Sequence, residues 1–249
     1  MPDSLFGSDS DPDPDHADPP SHPSSSLASS NPPAIPGLFL VRHALPQHLH
    51  DQLAHDMSAS VWPANSDQVM LFEREPSSTS SSLPSFLDPL LAWLPTALLA
   101  LPAHVQHLVL DSALPRQAIL NLYHPGQGIS PHVDLPSRYA DGILSVSLLS
   151  STVYDFRPAS SSPTDPPTYA LRVRPRDLVV LSGDARWQWS HGIAPRMEDV
   201  VADEDGEPMV LRRGTRMSIT LRRMREGAHV VGPGRREVHD DGEGGARGS

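Results

Sequence analysis

Cysteine is absent from the 249 residues. That excludes a disulfide framework, a thiolate zinc site and a cysteine nucleophile. Lysine is absent too: all 19 basic residues are arginine, which we read as a compositional bias. Positive charge is outweighed, and the formal net charge is -11. A generic nucleic-acid-coating surface is therefore not expected, because phosphate binding needs concentrated positive charge; a local basic patch remains compatible. Long apolar runs are missing as well. The most apolar segment, 84–101, is interrupted by Asp88, Pro89 and Pro95 and is too short and broken to span a bilayer. The N-terminus, Met-Pro-Asp-Ser, turns acidic and lacks the basic and apolar regions of a secretory signal. The expectation is an intracellular protein of the cytoplasm and/or nucleus without a membrane partner. Nothing in the sequence points to an oligomeric state.

Only 38% of residues are hydrophobic and 28 are proline, too polar and proline-rich for the whole chain to pack. Residues 1–33 are rich in Asp, Pro and Ser and read as a disordered acidic tail. A folded body is expected over 34–226, starting at Ile35, followed by a flexible Gly, Arg and Asp-rich tail over 227–249. In the body, 37–41 reads as a strand. A helix follows Pro46 with Leu49, Leu53 and Met57 on one face, and 68–72 is a second short strand. Residues 76–82 are a serine-rich loop, and 86–101 reads as helical material broken at Pro95. His104 and His107 share a helical face but lack a carboxylate, which favours a structural or surface role.

From Gln117 the pattern turns to short strands: 118–123, 143–149, its expected hairpin partner 152–156, 169–174, 177–182 and 216–222. Pro125-Gly-Gln-Gly128 reads as a turn and 158–167 as a polar loop. The acidic stretch 198–208 reads as a solvated insertion. The fold class implied is mainly β with flanking helices (α+β). A double-stranded β-helix, or jelly roll, accommodates these strands, as would another sandwich.

Two groups of residues carry chemistry. His132 and Asp134 flank one residue, so on an extended chain both side chains reach the same side. With His191 they make a two-histidine, one-carboxylate set. Such a set suits non-haem iron because it leaves positions open, although zinc can use the same residues. A His-x-Asp triplet also arises by chance in a chain with 13 histidines. The second group lies on the last strand, where Arg216, Ser218 and Arg222 share a face. Long arginines there can converge on a small dianion. The competing reading is a solvated basic strand, since Arg212, Arg213, Arg223 and Arg225 lie nearby.

Taken in order, these residues resemble the AlkB-type iron and 2-oxoglutarate-dependent dioxygenases. Asn121-Leu-Tyr123, His132-Val-Asp134, Ser190-His-Gly-Ile193 and Arg216-Met-Ser-Ile-Thr-Leu-Arg222 match the family's motifs in wording and sequence order. The resemblance covers roughly Ile35 to Met224. Residues 125–134, 186–195 and 212–214 are especially similar to the branch that modifies tRNA wobble uridines in animals. It implies a jelly-roll dioxygenase domain over 34–226 using Fe(II) and 2-oxoglutarate. His132, Asp134 and His191 would be the catalytic iron ligands. Arg216, with Tyr123 and Ser218, would take the distal carboxylate, and Arg222 and Asn121 would lie toward the other end of the cosubstrate. Ser218 stands where some members have asparagine, which tunes binding at most. Arg138, Arg186 and Trp189 are candidates for the substrate wall, and Tyr139, Trp187 and Trp189 are the available aromatics. The implied activity is hydroxylation or oxidative demethylation of a modified nucleobase in RNA or tRNA. Repair of alkylated DNA and action on, or non-catalytic binding to, a protein are the alternatives. The chain has no room for the RNA-recognition and methyltransferase domains of that animal branch. Recognition is therefore expected through its own surface or a protein partner that delivers the substrate.

Overall fold

The computed structural model describes residues 27–62, 67–73, 83–111, 113–160, 167–203 and 205–228. The serine-rich loop lies outside them, as do residues 1–26, 229–249 and most of the polar loop at 158–167. Twelve strands and four helices occupy the rest. In chain order they are β1 (Leu38–Val41), α1 (Gln47–Ser60), β2 (Gln68–Phe72), α2 (Asp88–Ala97), α3 (Ala103–Leu110), β3 (Arg116–Tyr123), β4 (Ile129–His132), β5 (Ile143–Leu148) and β6 (Thr152–Pro158). There follow β7 (Tyr169–Val173), β8 (Leu178–Leu181), α4 (Gly183–Trp187), β9 (Trp189–Ile193), β10 (Glu198–Ala202), β11 (Pro208–Arg212) and β12 (Arg216–Arg223). A six-stranded sheet runs β1-β8-β5-β12-β3-β2, and a four-stranded sheet runs β4-β9-β6-β7. From β3 onward the chain passes back and forth between them, which is the double-stranded β-helix.

The period-two strands of the large sheet sort their side chains by chemistry. Ala118 and Leu120 of β3, Leu144, Val146 and Leu148 of β5, and Met217, Ile219 and Leu221 of β12 pack in one cluster with Leu49, Leu53 and Met57 of α1, Leu90 and Leu94 of α2, and Val105 and Val109 of α3. The helices thus cover the outer face. Leu53 and Met57 have no exposure, and each such burial contributes about 1.5–3 kcal/mol. The alternate positions turn inward between the sheets. They include Ser145 and Ser147 on β5 and Arg216, Ser218 and Arg222 on β12, all but Ser145 buried. Alternation here therefore does not separate core from solvent. It separates a helix-packed core from an interior where the polar groups of β5 and β12 meet a second apolar cluster that includes Ile143, Val179 and Leu181.

Several expectations are corrected. Helix α2 is not broken at Pro95 but runs on to Ala97, because the proline falls in the last turn and the flanking Leu94 and Ala97 are buried. Strand β6 is not the hairpin partner of β5. It joins the other sheet between β7 and β9, after the chain turns at Leu149, whose φ is 68°. The acidic stretch 198–208 is not a solvated insertion: β10 and β11 pair along five residues, and Asp199 beneath them is 1% exposed. Its carboxylate accepts from Arg213 Nε at 2.6 Å and Nη2 at 2.7 Å, and from Arg196 Nε at 2.6 Å. The loose tail expected over 1–33 does not extend to its end. Ala28 donates to Val200 O and accepts from Ala202 N, while Ser29 donates to Ala170 O and accepts from Arg172 N. This segment is thereby wedged between β7 and β10. His104 and His107 are exposed on α3, as a surface role requires.

Candidate active site

The site lies between the sheets, where β4 and β9 pair. His132 and His191 stand directly opposite each other in the register. Their ring centroids are 4.6 Å apart. Two glycines permit this approach: a Cβ on Gly128 would meet Ile193 O at 2.1 Å, and one on Gly192 would meet Ile129 O at 2.9 Å. Any side chain there would push the two strands, and with them the two imidazoles, apart. Asp134 lies two residues beyond the end of β4 and turns its carboxylate to the same point. One ligand atom from each of His132, Asp134 and His191 lies within 4.8 Å of the others.

The surroundings prepare each group to ligate. The Nδ1 of His132 lies 2.9 Å from Ser130 O, and donation to that carbonyl leaves Nε2 with its lone pair free. Burial lowers the His191 pKa to about 4, helped by His132 and opposed by Asp134, so the ring is neutral at neutral pH and can bind a cation. Its Nε2 is 3.7 Å from Asp134 Oδ2. Asp134 is 5% exposed and its Oδ1 accepts from Arg222 Nη1. Two imidazoles and one carboxylate on one face, opening into a cavity of about 400 Å³, fit a ferrous ion with free coordination positions.

A second constellation extends along β12. Arg216 is 3% exposed, donating through Nε to Ser147 Oγ at 3.1 Å and through Nη2 to Tyr154 OH at 3.0 Å. Its guanidinium carbon lies 5.3 Å from the Tyr123 ring centroid. Its Nη1 is buried with no hydrogen-bond partner among the described residues. A buried cation with one unused donor and only neutral neighbours among the described residues calls for an anionic partner. Tyr123 itself is a phenol whose pKa burial raises, so it stays a neutral hydrogen-bonding group there. Ser218 pairs in register with Asn121, and the two side chains are 3.5 Å apart; Asn121 Oδ1 accepts from Gln68 Nε2 at 2.7 Å. Arg222 sits toward the histidines, donating to Gln117 Oε1 at 2.6 Å as well as to Asp134, its guanidinium 3.6 Å from the Tyr139 ring centroid.

The candidates for a substrate wall divide. Arg138 lines the cavity beside the histidines. Arg186 does not reach it and is 1% exposed. It donates to Asp134 O at 2.9 Å, Tyr139 O at 3.1 Å and Ala140 O at 3.3 Å, so it holds the loop that carries the aspartate. Its planar fork of donors matches a run of carbonyls, which is why arginine serves there. Trp189 is not among the cavity-lining residues; it packs on Tyr169 with centroids 5.6 Å apart. Tyr139 is 3% exposed under Arg222, and the Trp187 ring lies 4.2 Å from the Arg186 guanidinium, so neither is an open stacking platform. Sequence reading missed Tyr154, Ser147 and Gln117. Only the small polar positions of the 143–149 alternation hinted at them, and that pattern does not tell an outward serine from an inward one.

The family model described as 2OG-Fe(II) oxygenase superfamily matches residues 52–222. A Xenopus tropicalis protein named tRNA (carboxymethyluridine(34)-5-O)-methyltransferase alkbh8 is 38% identical over 122 residues, which is 45% of this chain and 19% of that protein. An Arabidopsis thaliana protein named Alkylated DNA repair protein ALKBH8 homolog is 35% identical over 122 residues, 44% of this chain and 34% of the relative. In both, the match spans well under half of the relative's length. A prolyl-4-hydroxylase from Pseudomonas putida superposes over 77% of this chain and 94% of its own, with a TM-score of 0.47 and 17% identity.

Proposed function

The chain belongs to the 2OG-Fe(II) oxygenase superfamily and is an iron(II)- and 2-oxoglutarate-dependent dioxygenase, and on that premise we propose that it hydroxylates or oxidatively demethylates a modified nucleobase in RNA, first of all a tRNA wobble uridine. The observation that supports the site assignment most is the pairing of a His, Asp, His face with a buried arginine that lacks an anion. In this reading His132, Asp134 and His191 hold the iron, and Arg216 takes the distal carboxylate of 2-oxoglutarate with Tyr123 and Tyr154 beside it. Bound iron and 2-oxoglutarate supply, with oxygen, the oxidising power to hydroxylate an unactivated C–H bond.

The chain's own residues supply position and charge. Arg222 holds the Asp134 carboxylate in place through a hydrogen bond, and Arg186 fixes the backbone beneath it. Asn121 and Ser218 offer an amide and a hydroxyl along the cosubstrate's length. Ile143, Val179 and Leu181 give the same cavity an apolar wall that limits water. Hydroxylation at an N-methyl group gives an unstable product that releases formaldehyde; at a carbon substituent the hydroxyl stays.

The substrate class draws on the relatives. The frog protein's name refers to uridine 34 of tRNA, and the Arabidopsis protein's name to alkylated DNA. The matching wording around His132 and His191 favours the RNA branch, with cytoplasm and/or nucleus as its place. A net charge of -11 favours a partner protein that delivers the RNA. Among the described residues no helix is long and apolar enough to cross a membrane.

The test incubates purified full chain, loaded with ferrous iron, with 2-oxoglutarate and tRNA from cells that lack the protein. Mass spectrometry of the nucleosides is expected to show one modified uridine converted, with matching succinate. An unchanged RNA profile, alongside loss of methyl groups from alkylated DNA, would move the substrate to DNA.

A further inference from the structure

The arginines at the site differ in what they hold. Arg222 is engaged by Asp134 and Gln117, and Arg186 by three carbonyls. Arg216 sits behind Tyr123 and Tyr154, and in the reading above its anion is 2-oxoglutarate. Arg138 is different. It lines the same cavity as His132 and His191, yet its side chain has no hydrogen bond or ion pair among the described residues. The neighbouring carboxylates are already used: Asp134 accepts from Arg222, and Asp141 accepts from Gly142 N and Gly183 N.

Its backbone, by contrast, is fixed. Arg138 N donates to Leu135 O, and Arg138 O accepts from Arg225 N at 2.8 Å. Arg186 pins the next two carbonyls, Tyr139 O and Ala140 O. A second cation reaches the same turn, since Arg225 Nη1 donates to Pro136 O at 3.0 Å. The cavity also has an apolar margin: Met70 and Leu135 line it and are 50% and 53% exposed. A rigidly mounted, unpaired guanidinium beside exposed apolar side chains suits a ligand that is part flat ring and part anion.

Resting on the nucleobase reading above, we propose that Arg138 receives an anionic oxygen of the incoming nucleotide, while Met70 and Leu135 contact its ring. The oxygen belongs to the phosphate flanking the target or to a carboxylate on the modified base. Both present the same chemistry to a guanidinium. On this assignment Arg138 sets the register that brings the reacting substituent to the His, Asp, His face. A surface that is acidic overall then gains local attraction only where it is needed.

The experiment measures fluorescence anisotropy of a short uridine-rich single-stranded RNA against the full chain, between about 50 and about 200 mM salt. Arg138→Gln is expected to weaken binding about tenfold, the loss of one charge-assisted contact. It should also flatten the dependence of log affinity on log salt by about 0.7, one phosphate's share on a single strand. Arg138→Lys, which keeps the charge, should restore the slope. The arms separate the two sources of oxyanion. A penalty that vanishes on the same RNA with uncharged methylphosphonate linkages identifies the phosphate. A penalty that survives there and requires carboxymethyluridine identifies the base. Thermal melts of both variants should match wild type, because the side chain makes no hydrogen bond or ion pair among the described residues. If wild type binds RNA and Arg138→Gln has the same affinity and slope on every probe, this assignment falls alone. If wild type binds none of the probes, this assignment falls, and the nucleobase reading falls with it where tRNA nucleosides also stay unconverted.

Discussion

Replacing Asp134 with alanine is expected to remove turnover and weaken the fold together. Loss of a partner that merely supports a ligand costs about 10- to 100-fold in metal affinity or activity, so loss of the ligand carboxylate should exceed about 100-fold. The structural cost has a separate origin. Asp134 and Arg222 are 5% and 8% exposed, and the aspartate is the only carboxylate bonded to that guanidinium among the described residues. Leaving a buried charge without its counter-ion costs about 3–5 kcal/mol. Gln117 and the Tyr139 ring remain, which places the loss toward the lower end. Iron content by elemental analysis and urea unfolding of the metal-free protein read the two effects apart. Asp134→Asn should recover part of the stability but not the turnover. Metal-free Asp134→Ala with a wild-type unfolding midpoint would contradict the role given to Arg222.

Arg216 behaves in the opposite sense. Its guanidinium is buried among hydroxyls and rings, with one nitrogen unpartnered and no anion bonded to it among the described residues. A cation in that position costs folding free energy in the absence of ligand. Arg216→Met, which keeps the bulk, is therefore expected to leave the melting temperature of the ligand-free protein unchanged or raised. Affinity for 2-oxoglutarate should fall by the amount typical of truncating a buried charge pair, roughly 2–5 kcal/mol, or about 30-fold and more. Calorimetric titration in the presence of metal checks the affinity. Thermal shift checks that 2-oxoglutarate stabilises wild type and no longer stabilises the variant. Equal cosubstrate affinity in both proteins would remove Arg216 from the site. Iron affinity should not change, since Arg216 touches none of the three candidate ligands.

These residues were unevenly legible in the sequence. His132 and Asp134 share one short extended segment, so their spacing alone put them on one side. Arg216, Ser218 and Arg222 likewise follow the period of one strand. His191 did not announce itself, because its position opposite His132 is a matter of register between two strands far apart in the chain. Order within a familiar set of motifs supplied what local spacing lacks. Tyr154 and Gln117 reach Arg216 and Arg222 from other strands, and no local pattern marks such a meeting.

Two of the readings founder on one physical point. Clustered charge reads as solvated, both for the arginines flanking Arg216 and Arg222 and for the acidic stretch 198–208. Arg186, Arg213, Arg222 and Arg223 are nonetheless each less than 9% exposed, because carbonyls, Asp199, Asp134 or Gln117 receive their donors. Arginine tolerates this better than lysine, having five donors in a plane and weaker hydration. In a chain without lysine, an arginine cluster is a poor sign of a wet surface. The same reasoning explains why 198–208 reads as an acidic insertion: its Asp199 is matched by Arg196 just before it and by Arg213, which the β10–β11 pairing brings back.

The most direct test of the site is an anaerobic titration of the ferrous protein with 2-oxoglutarate, followed by visible absorption. A keto acid chelated to ferrous iron gives a charge-transfer band. The account predicts that the band grows and saturates in wild type. It should be absent in Asp134→Ala and His191→Ala, and in Arg216→Met it should need a far higher 2-oxoglutarate concentration. A ferrous wild-type protein that shows no band, or a band of equal affinity after His191 is replaced, would contradict the placement of iron and cosubstrate between these sheets.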